Sequence, residues 1–422
     1  MMDQQRAYIS EDALTNISIT NMPADVGLVA KPGIKALLHA LEDGVCGNVD
    51  ASTSLMLEQS LFPMTTLTGA FSVVKRLVNN TILDTSLGTD EQWQQLLKEL
   101  NKSGKNIQTV FSKNEIDERI LDDLCLAVSG LEYRNWLVFL YFKLNIEQLQ
   151  NAYLRFVVEA TESFENFKTN LMVMITEFSH KDRDFRRLYD DRKRLLKDFP
   201  EEDVAVFVRA NEVDPDESIY RLTDNTLLEK KTAVKWVAQH GLCEAISYVY
   251  PALDDYLKKY IFDSPVLATE LTEYFDAYKQ QKVSNRISDD FITLVEKYAS
   301  GISYAKLPTR DNAIKAIADK DNAYLYWIDA LGVEYMSYIT ALARKKGLSI
   351  HTDFVRSDLP TITAINKQFY EQWPNDRKFK EETLDNIKHK EKGGYFFTND
   401  EDPIHIPAEL DVIEKAMNTA AM

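Results

Sequence analysis

Cysteine, basic charge and long apolar runs are all scarce in this 422-residue chain. Its three cysteines, Cys46, Cys125 and Cys243, lie far apart and form no CxxC pair. That excludes a disulfide framework and a cysteine-based zinc site, and it predicts a reducing compartment. Basic residues number 49 against 66 acidic ones, a net charge of −17. Nucleic acid favours basic faces, so bulk electrostatic binding to it is excluded. A local phosphate site remains open if metal ions supply the positive charge. The longest apolar run, WLVFLYFKL at 136–144, falls well short of the ~20 residues that a membrane span needs. The opening residues, MMDQQRAYISEDALTN, carry acids where a secretory signal has a basic stretch and an apolar core. These absences predict a cytoplasmic protein with no membrane partner. Internal repeats and low-complexity runs are missing as well.

What is present is a 45% apolar, 11% aromatic composition, which predicts an ordered chain with a sizeable core and two or three domains. Three regions suggest themselves: an N-terminal region at 1–105, a helical region at 106–315 and an α/β region at 316–422. The first mixes short apolar runs with Thr, Asn and Gly and holds no chemical motif. It ends in a helix, because Thr89 and Gln92 have capping-box spacing and Trp93, Leu96, Leu97 and Leu100 follow at helical intervals. Ser112 and Glu115 predict a second capping box. The segment from IEQLQ at 146–150 to ITEF at 175–178 keeps apolar residues at three- and four-residue steps. KDRDFRRLYDDRKRLLKDFP alternates its charges, which predicts a solvated helix face rather than a nucleic-acid patch. NEVDPDES around Pro215 reads as a linker or turn. NTLLEKKTAVKWVAQHG reads as a helix closed by Gly241. The aromatic YPALDDYLKKYIF and LTEYFDAYKQQKVSNRI read as further helices with packing stripes.

The pattern changes near residue 324. AYLYWID reads as a strand, VEYMSYITALARKKG as a helix closed by Gly347, and LSIHTDFVR as a second strand. Such a strand–helix–strand unit predicts a parallel pair, whose functional crevice lies at the C-terminal strand ends. Asp329 sits at one such end, and SDLPTIT follows the other. Thr361 and Thr363 therefore fall near a helix N-terminus, where a hydroxyl can meet an anion. N-cap and turn roles explain the same residues equally well. Asp385 and His389, four apart, share one face if ETLDNIKHKEK is helical, a spacing that suits a metal or a surface ion pair.

YWIDALGVEY with LSIHTDFVRSDLPTITAINKQF resembles the PglZ domain, a branch of the alkaline phosphatase superfamily, over about residues 324–369. The upstream YFDAYKQQKVSNRI and LPTR (307–310) resemble, more loosely, the helical region that precedes this domain in bacteriophage-exclusion (BREX) proteins. The resemblance implies mainly helical N-terminal regions followed by the first part of an α/β alkaline-phosphatase-like domain. It implies a metal-dependent phosphatase or phosphodiesterase with two Zn²⁺, or Mn²⁺, and a phosphate-containing substrate. Asp329 corresponds to the strand-end metal ligand and Thr363 to the metal-bridging nucleophile, with Thr361 as the alternative. Asp385 and His389 correspond to ligands of the other metal. Methyltransferase and ATPase components of the defence system are the implied partners. The later Asp-His pair of the superfamily has no counterpart after His389. The expectation is therefore a truncated chain, a site completed by a second chain, or a non-catalytic remnant. The alternative function is a non-catalytic scaffold whose helical region docks other subunits of the defence complex.

Overall fold

The computed structural model describes residues 16–20, 31–44, 48–53, 64–121, 132–301, 303–317, 325–329, 331–361, 363–366, 379–383 and 405–420. The chain is mainly helical and divides into two compact units, Met1–Phe199 and Pro200–Met422. The division falls inside the 106–315 helical region.

The first unit is mainly helical, as expected, and its described residues also hold a small sheet that the sequence did not announce. β1 (Asn16–Thr20), β2 (Lys31–Pro32), β3 (Asn48–Ser52) and β4 (Met64–Leu67) form a parallel sheet in the order β2-β3-β1-β4. Helix α1 (Gly33–Glu42) covers it, and Leu37 and Leu41 meet Ile17, Ile19, Val49 and Ala51 in one apolar cluster. In β1 the alternate residues Ser18 and Thr20 are buried as well, as expected of a central parallel strand covered on both faces. These strands are too short and too rich in Ser and Thr to declare themselves. Only their pairing with distant segments makes them strands.

After α2 (Gly69–Val78), helix α3 (Asp90–Lys102) begins where its caps predict. Thr89 N–H donates to Gln92 Oε1 at 2.8 Å, and Gln92 N–H donates to Thr89 Oγ1 at 3.3 Å. Trp93, Leu96, Leu97 and Leu100 are all buried. The Ser112–Glu115 capping box is a correction. Ser112 lies in the last turn of α4 (Ile107–Lys113), and Glu115 has φ of 57° in the turn that follows. The spacing marks the end of a helix, not the start of one. The apolar run 136–144 lies within α5 (Glu132–Leu144), where every residue from Trp136 to Phe142 is buried. Among the described residues no helix is long and apolar enough to cross a membrane.

The expected continuous helical stretch breaks into α6 (Ala152–Ala160) and α7 (Phe164–Val173), with Asn151 capping α6 by accepting from Leu154 N–H at 2.7 Å. The charged segment forms α8 (Phe185–Leu195), but its face is not wholly solvated. Asp191 and Arg192 are buried. Arg192 donates from Nε and Nη2 to the Met172 carbonyl at 3.2 and 3.0 Å, and Asp191 Oδ2 accepts from Ala152 N–H at 2.8 Å. Buried charges persist where hydrogen bonds satisfy them, and the periodicity of charge cannot show which ones will be.

In the second unit, α9 (Glu201–Asn211) leads into α10 (Pro215–Arg221). The expected linker around Pro215 is instead a helix start, with Pro215 in the first turn, where its missing N–H costs nothing. Then come α11 (Leu227–His240), α12 (Ile246–Val249), α13 (Pro251–Leu257), α14 (Ala268–Ser284), α15 (Asp289–Ala299) and α16 (Arg310–Ala316). Gly241 follows α11 with φ of 85° as expected of a helix-closing glycine. The α/β part comprises β5 (Leu325–Asp329), α17 (Met336–Lys345), the single turn α18 (Thr363–Asn366), β6 (Phe379–Thr383) and a final helix, α19 (Ile406–Ala420). Gly347, at φ of 69°, follows α17.

Candidate functional site

The strand–helix–strand unit exists, but its second strand is not the expected one. β5 pairs in parallel with β6, from Leu325↔Phe379 to Asp329↔Thr383. The segment 348–356 makes one isolated parallel bridge, Thr309↔Arg356. Leu348 and Ile350 remain exposed there. A parallel strand is covered on both faces and needs a near-continuous apolar run; Ser349, His351, Thr352 and Asp353 interrupt this one.

Asp329 therefore stands at the C-terminal end of a parallel pair, in register with Thr383. Its side chain and that of Thr363 lie outside the described residues, as do Asp385 and His389 entirely. Residues 382–383 of the expected ETLDNIKHKEK helix belong to β6, so Asp385 follows a strand end by two positions. Thr361 is exposed in the turn before α18, and Thr363 opens α18. The donor set is one of oxygens and imidazole, which suits zinc or manganese. Among the described residues no group of three or more His, Cys, Asp and Glu side chains is gathered.

Beyond Asp329 the chain turns at once into a buried charge cluster. Glu334 and Tyr335, just before α17, are both buried. Lys282 of α14 donates to Tyr335 Oη at 2.7 Å, Glu409 Oε2 at 2.9 Å and Glu334 Oε1 at 3.3 Å. Tyr335 also donates its hydroxyl to Glu409. Burial opposes the charge on Lys282, yet Glu409 and Glu334 raise its pKa above the ordinary 10.5. Burial likewise pushes the phenol of Tyr335 well above its usual 10.0, with Glu409 adding to the effect. Glu409 comes from α19, which also pairs Asp411 with Lys230 of α11 at 2.7 Å and buries Leu410, Ile413 and Ala416. On the other side of α17, Lys345 donates to Asp255 of α13 at 2.8 Å. The segment leaving β5 is thus held by three helices.

Gly332 is the close approach in this turn. A Cβ placed on it would lie 1.8 Å from Glu334 Oε2. The carboxylate end of a glutamate is movable in principle, but here Lys282 holds it. Gly332→Ala is therefore expected to cost about 1–3 kcal/mol through displacement of Glu334. Thermal unfolding checks this, and a melting temperature equal to wild type counts against a fixed Glu334.

The second part of the site joins two segments singled out in the sequence, LPTR and SDLPTIT. Arg356 N–H donates to the Pro308 carbonyl at 2.9 Å, across the Thr309 bridge. Arg310 donates from Nη2 to Ser357 Oγ at 2.7 Å and from Nη1 to the Asn366 carbonyl at 3.2 Å. The Asn366 amide closes the loop: its Oδ1 accepts from Asp358 N–H at 2.8 Å, and its Nδ2 donates to the carbonyls of Asp358 and Pro360 at 3.0 and 3.2 Å. The threonine-bearing turn is thus tied at both ends, with Arg310 as the outer brace. Arg310, Arg356, Lys282, Glu334 and Glu409 carry no local signal of these roles, because their partners come from remote segments, whereas the Asn366 amide meets Asp358 and Pro360 within its own loop.

Residues 74–240 match a domain of unknown function (DUF7863). The match covers helices on both sides of the Phe199–Pro200 division and ends before the strand that carries Asp329. No curated protein matches the chain, and no solved structure matches it.

Proposed function

We propose that residues 316–422 contribute to a metal-dependent phosphatase or phosphodiesterase site of the PglZ type, in a protein of a BREX phage-defence system. One observation carries this reading: β5 ends on Asp329 within a parallel pair, and parallel α/β sheets bind ligands just outside the carboxyl ends of their strands. Asp329, Thr363, Asp385 and His389 would hold two Zn²⁺ or Mn²⁺ ions, which lower the pKa of a bound hydroxyl and neutralise phosphate charge. In this reading the Thr363 oxygen would bond to phosphorus as the ester P–O bond breaks and the alcohol leaves with a proton. Water would then displace the threonine and release the phosphate, with Thr361 as the alternative nucleophile. The hydrogen bonds of Arg310 and Asn366 that tie this loop at both ends support the reading, since a nucleophile needs a positioned backbone.

The test uses the whole chain with added zinc or manganese and bis(p-nitrophenyl) phosphate. Asp329→Ala is expected to reduce bound metal. Thr363→Ala is expected to keep the metal and lower turnover roughly a thousandfold or more. Unchanged turnover in Thr363→Ala moves the assignment to Thr361, and unchanged turnover in both variants overturns it.

A second reading, a scaffold that docks methyltransferase or ATPase components of the defence system, has one observation in its favour: the family match, 74–240, lies wholly before the α/β part. Under it, complexes with those components survive Asp329→Ala, and the unaltered chain shows no metal-dependent turnover.

A further inference from the structure

The bridge between Thr309 and Arg356 separates two hollows of different character. On one side is a cavity of about 110 Å³ lined by Thr309, Arg310, Arg356, Asp311, Asp358 and Asn366, among others. On the other is a cavity of about 240 Å³ whose lining joins apolar Val266, Pro308 and Phe354 to polar Asp263, Asn312 and Asp353. Consecutive residues supply the two linings: Pro308 then Thr309, Val355 then Arg356. The two hollows therefore share this short stretch of backbone as a wall.

We propose that this pair of hollows binds a phosphate monoester that carries hydroxyl groups and an aromatic heterocycle, the chemistry of a nucleoside monophosphate. Arg356 and Arg310 receive the phosphate. A guanidinium presents a planar fork of donors that fits phosphate oxygens, with charge-assisted bonds about twice as strong as neutral ones. Arg310 is already oriented by Ser357 Oγ and the Asn366 carbonyl. Arg356 has a donor to spare: its Nε is buried and without a hydrogen-bond partner among the described residues. A buried donor left unmet destabilises the fold, so a ligand oxygen there recovers a cost the fold already carries.

Asp311 and Asp358 make the cavity something other than a general anion trap. They accept hydroxyl hydrogens and disfavour ligands made of negative charge alone, which selects an ester with hydroxyls over a bare polyanion. The larger hollow then takes the ring: Pro308 and Phe354 supply apolar surface for its faces, and Asn312 and Asp353 supply polar partners for its edge. The site needs neither Asp329 nor a metal. It takes from the proposed function only the choice of phosphate over other oxyanions.

Isothermal titration of the whole chain, in buffer containing EDTA, tests this with AMP, inorganic phosphate and adenosine as probes. AMP is expected to bind more tightly than either of its parts. Arg356→Gln is expected to weaken AMP about tenfold or more, as loss of one charge-assisted hydrogen bond implies. Arg356→Lys keeps the charge and stem, guards against misfolding as the explanation, and is expected to fall between the two. Val266→Asp, on an exposed residue, is expected to weaken AMP while leaving inorganic phosphate unchanged. Asp329→Ala is expected to bind AMP as the unaltered chain does, so a failure of the metal reading leaves this result standing. AMP affinity unchanged in Arg356→Gln, or no binding by the unaltered chain, overturns the proposal. Adenosine binding as tightly as AMP overturns it too.

Discussion

Replacing Lys282 with methionine is expected to destabilise the Pro200–Met422 unit by about 3 kcal/mol, the lower end of the cost of breaking a buried ion pair. The lower end applies because the Lys282 side chain keeps 21% exposure, against 7% for Glu334 and 2% for Glu409. The variant removes the ammonium that both carboxylates share while leaving them in place. For a unit of this size the loss reads as a fall of roughly 6–12 °C in melting temperature. Adding Glu334→Gln and Glu409→Gln to the variant is expected to restore much of it, since a neutral cluster no longer needs the cation. A triple variant less stable than Lys282→Met alone would sink the electrostatic account.

The same cluster sets an alkaline limit. Lys282 has a raised pKa, so its contribution is complete below about 10.5 and fades as pH climbs through the higher folded value. The buried phenols of Tyr250, Tyr256 and Tyr335 are also raised, chiefly by burial. The folded form keeps those protons after the unfolded chain has released them, so stability falls in the same direction. Above pH 10 each such tyrosine is expected to remove about 1.4 kcal/mol per pH unit. Denaturant midpoints measured from pH 9 to 11 check the sign, and a flat profile contradicts it.

Trp136→Ala is expected to cost the Met1–Phe199 unit about 4 kcal/mol, within the range for large aromatic truncations. Trp136 is fully buried, meets Trp93 edge-on at 5.0 Å and donates Nε1–H to the Leu87 carbonyl at 2.8 Å. A Cβ added at Gly88 would lie 2.6 Å from that Nε1, so the loop before α3 is moulded around the indole. Truncation leaves a cavity and an unpaired carbonyl together. Trp136→Phe fills most of the cavity but not the hydrogen bond and is expected to lose about 1–3 kcal/mol. Hydrogen exchange resolved along the chain assigns each loss to its unit. An alanine variant within 1 kcal/mol of wild type would mean that the site collapses freely.

Elements governed by near neighbours were legible in the sequence. α3 announces itself because its cap and its buried face lie within twelve residues of each other. The end of α11 at Gly241, the end of α17 before Gly347 and the strand ending on Asp329 are equally local. Tertiary structure decided the rest. β1 to β4 are strands through pairing with segments as far as Met64 from Ile17. The partner of β5 is β6 rather than 348–356, because coverage of both faces, not local propensity, selects a parallel strand. Ser112 and Glu115 fit a capping pattern that the end of α4 overrides. The chain order of charges in α8 does not reveal that Arg192 reaches the Met172 carbonyl. Likewise Lys282, Glu334 and Glu409 come from three separated segments, and Arg310 reaches a loop, Ser357 to Asn366, that lies remote from it in the chain. A short-range pattern records which residues a helix or turn can accept. Which buried charge meets which partner is settled only by packing, since the energy of that contact is realised nowhere along the chain before the distant segments come together.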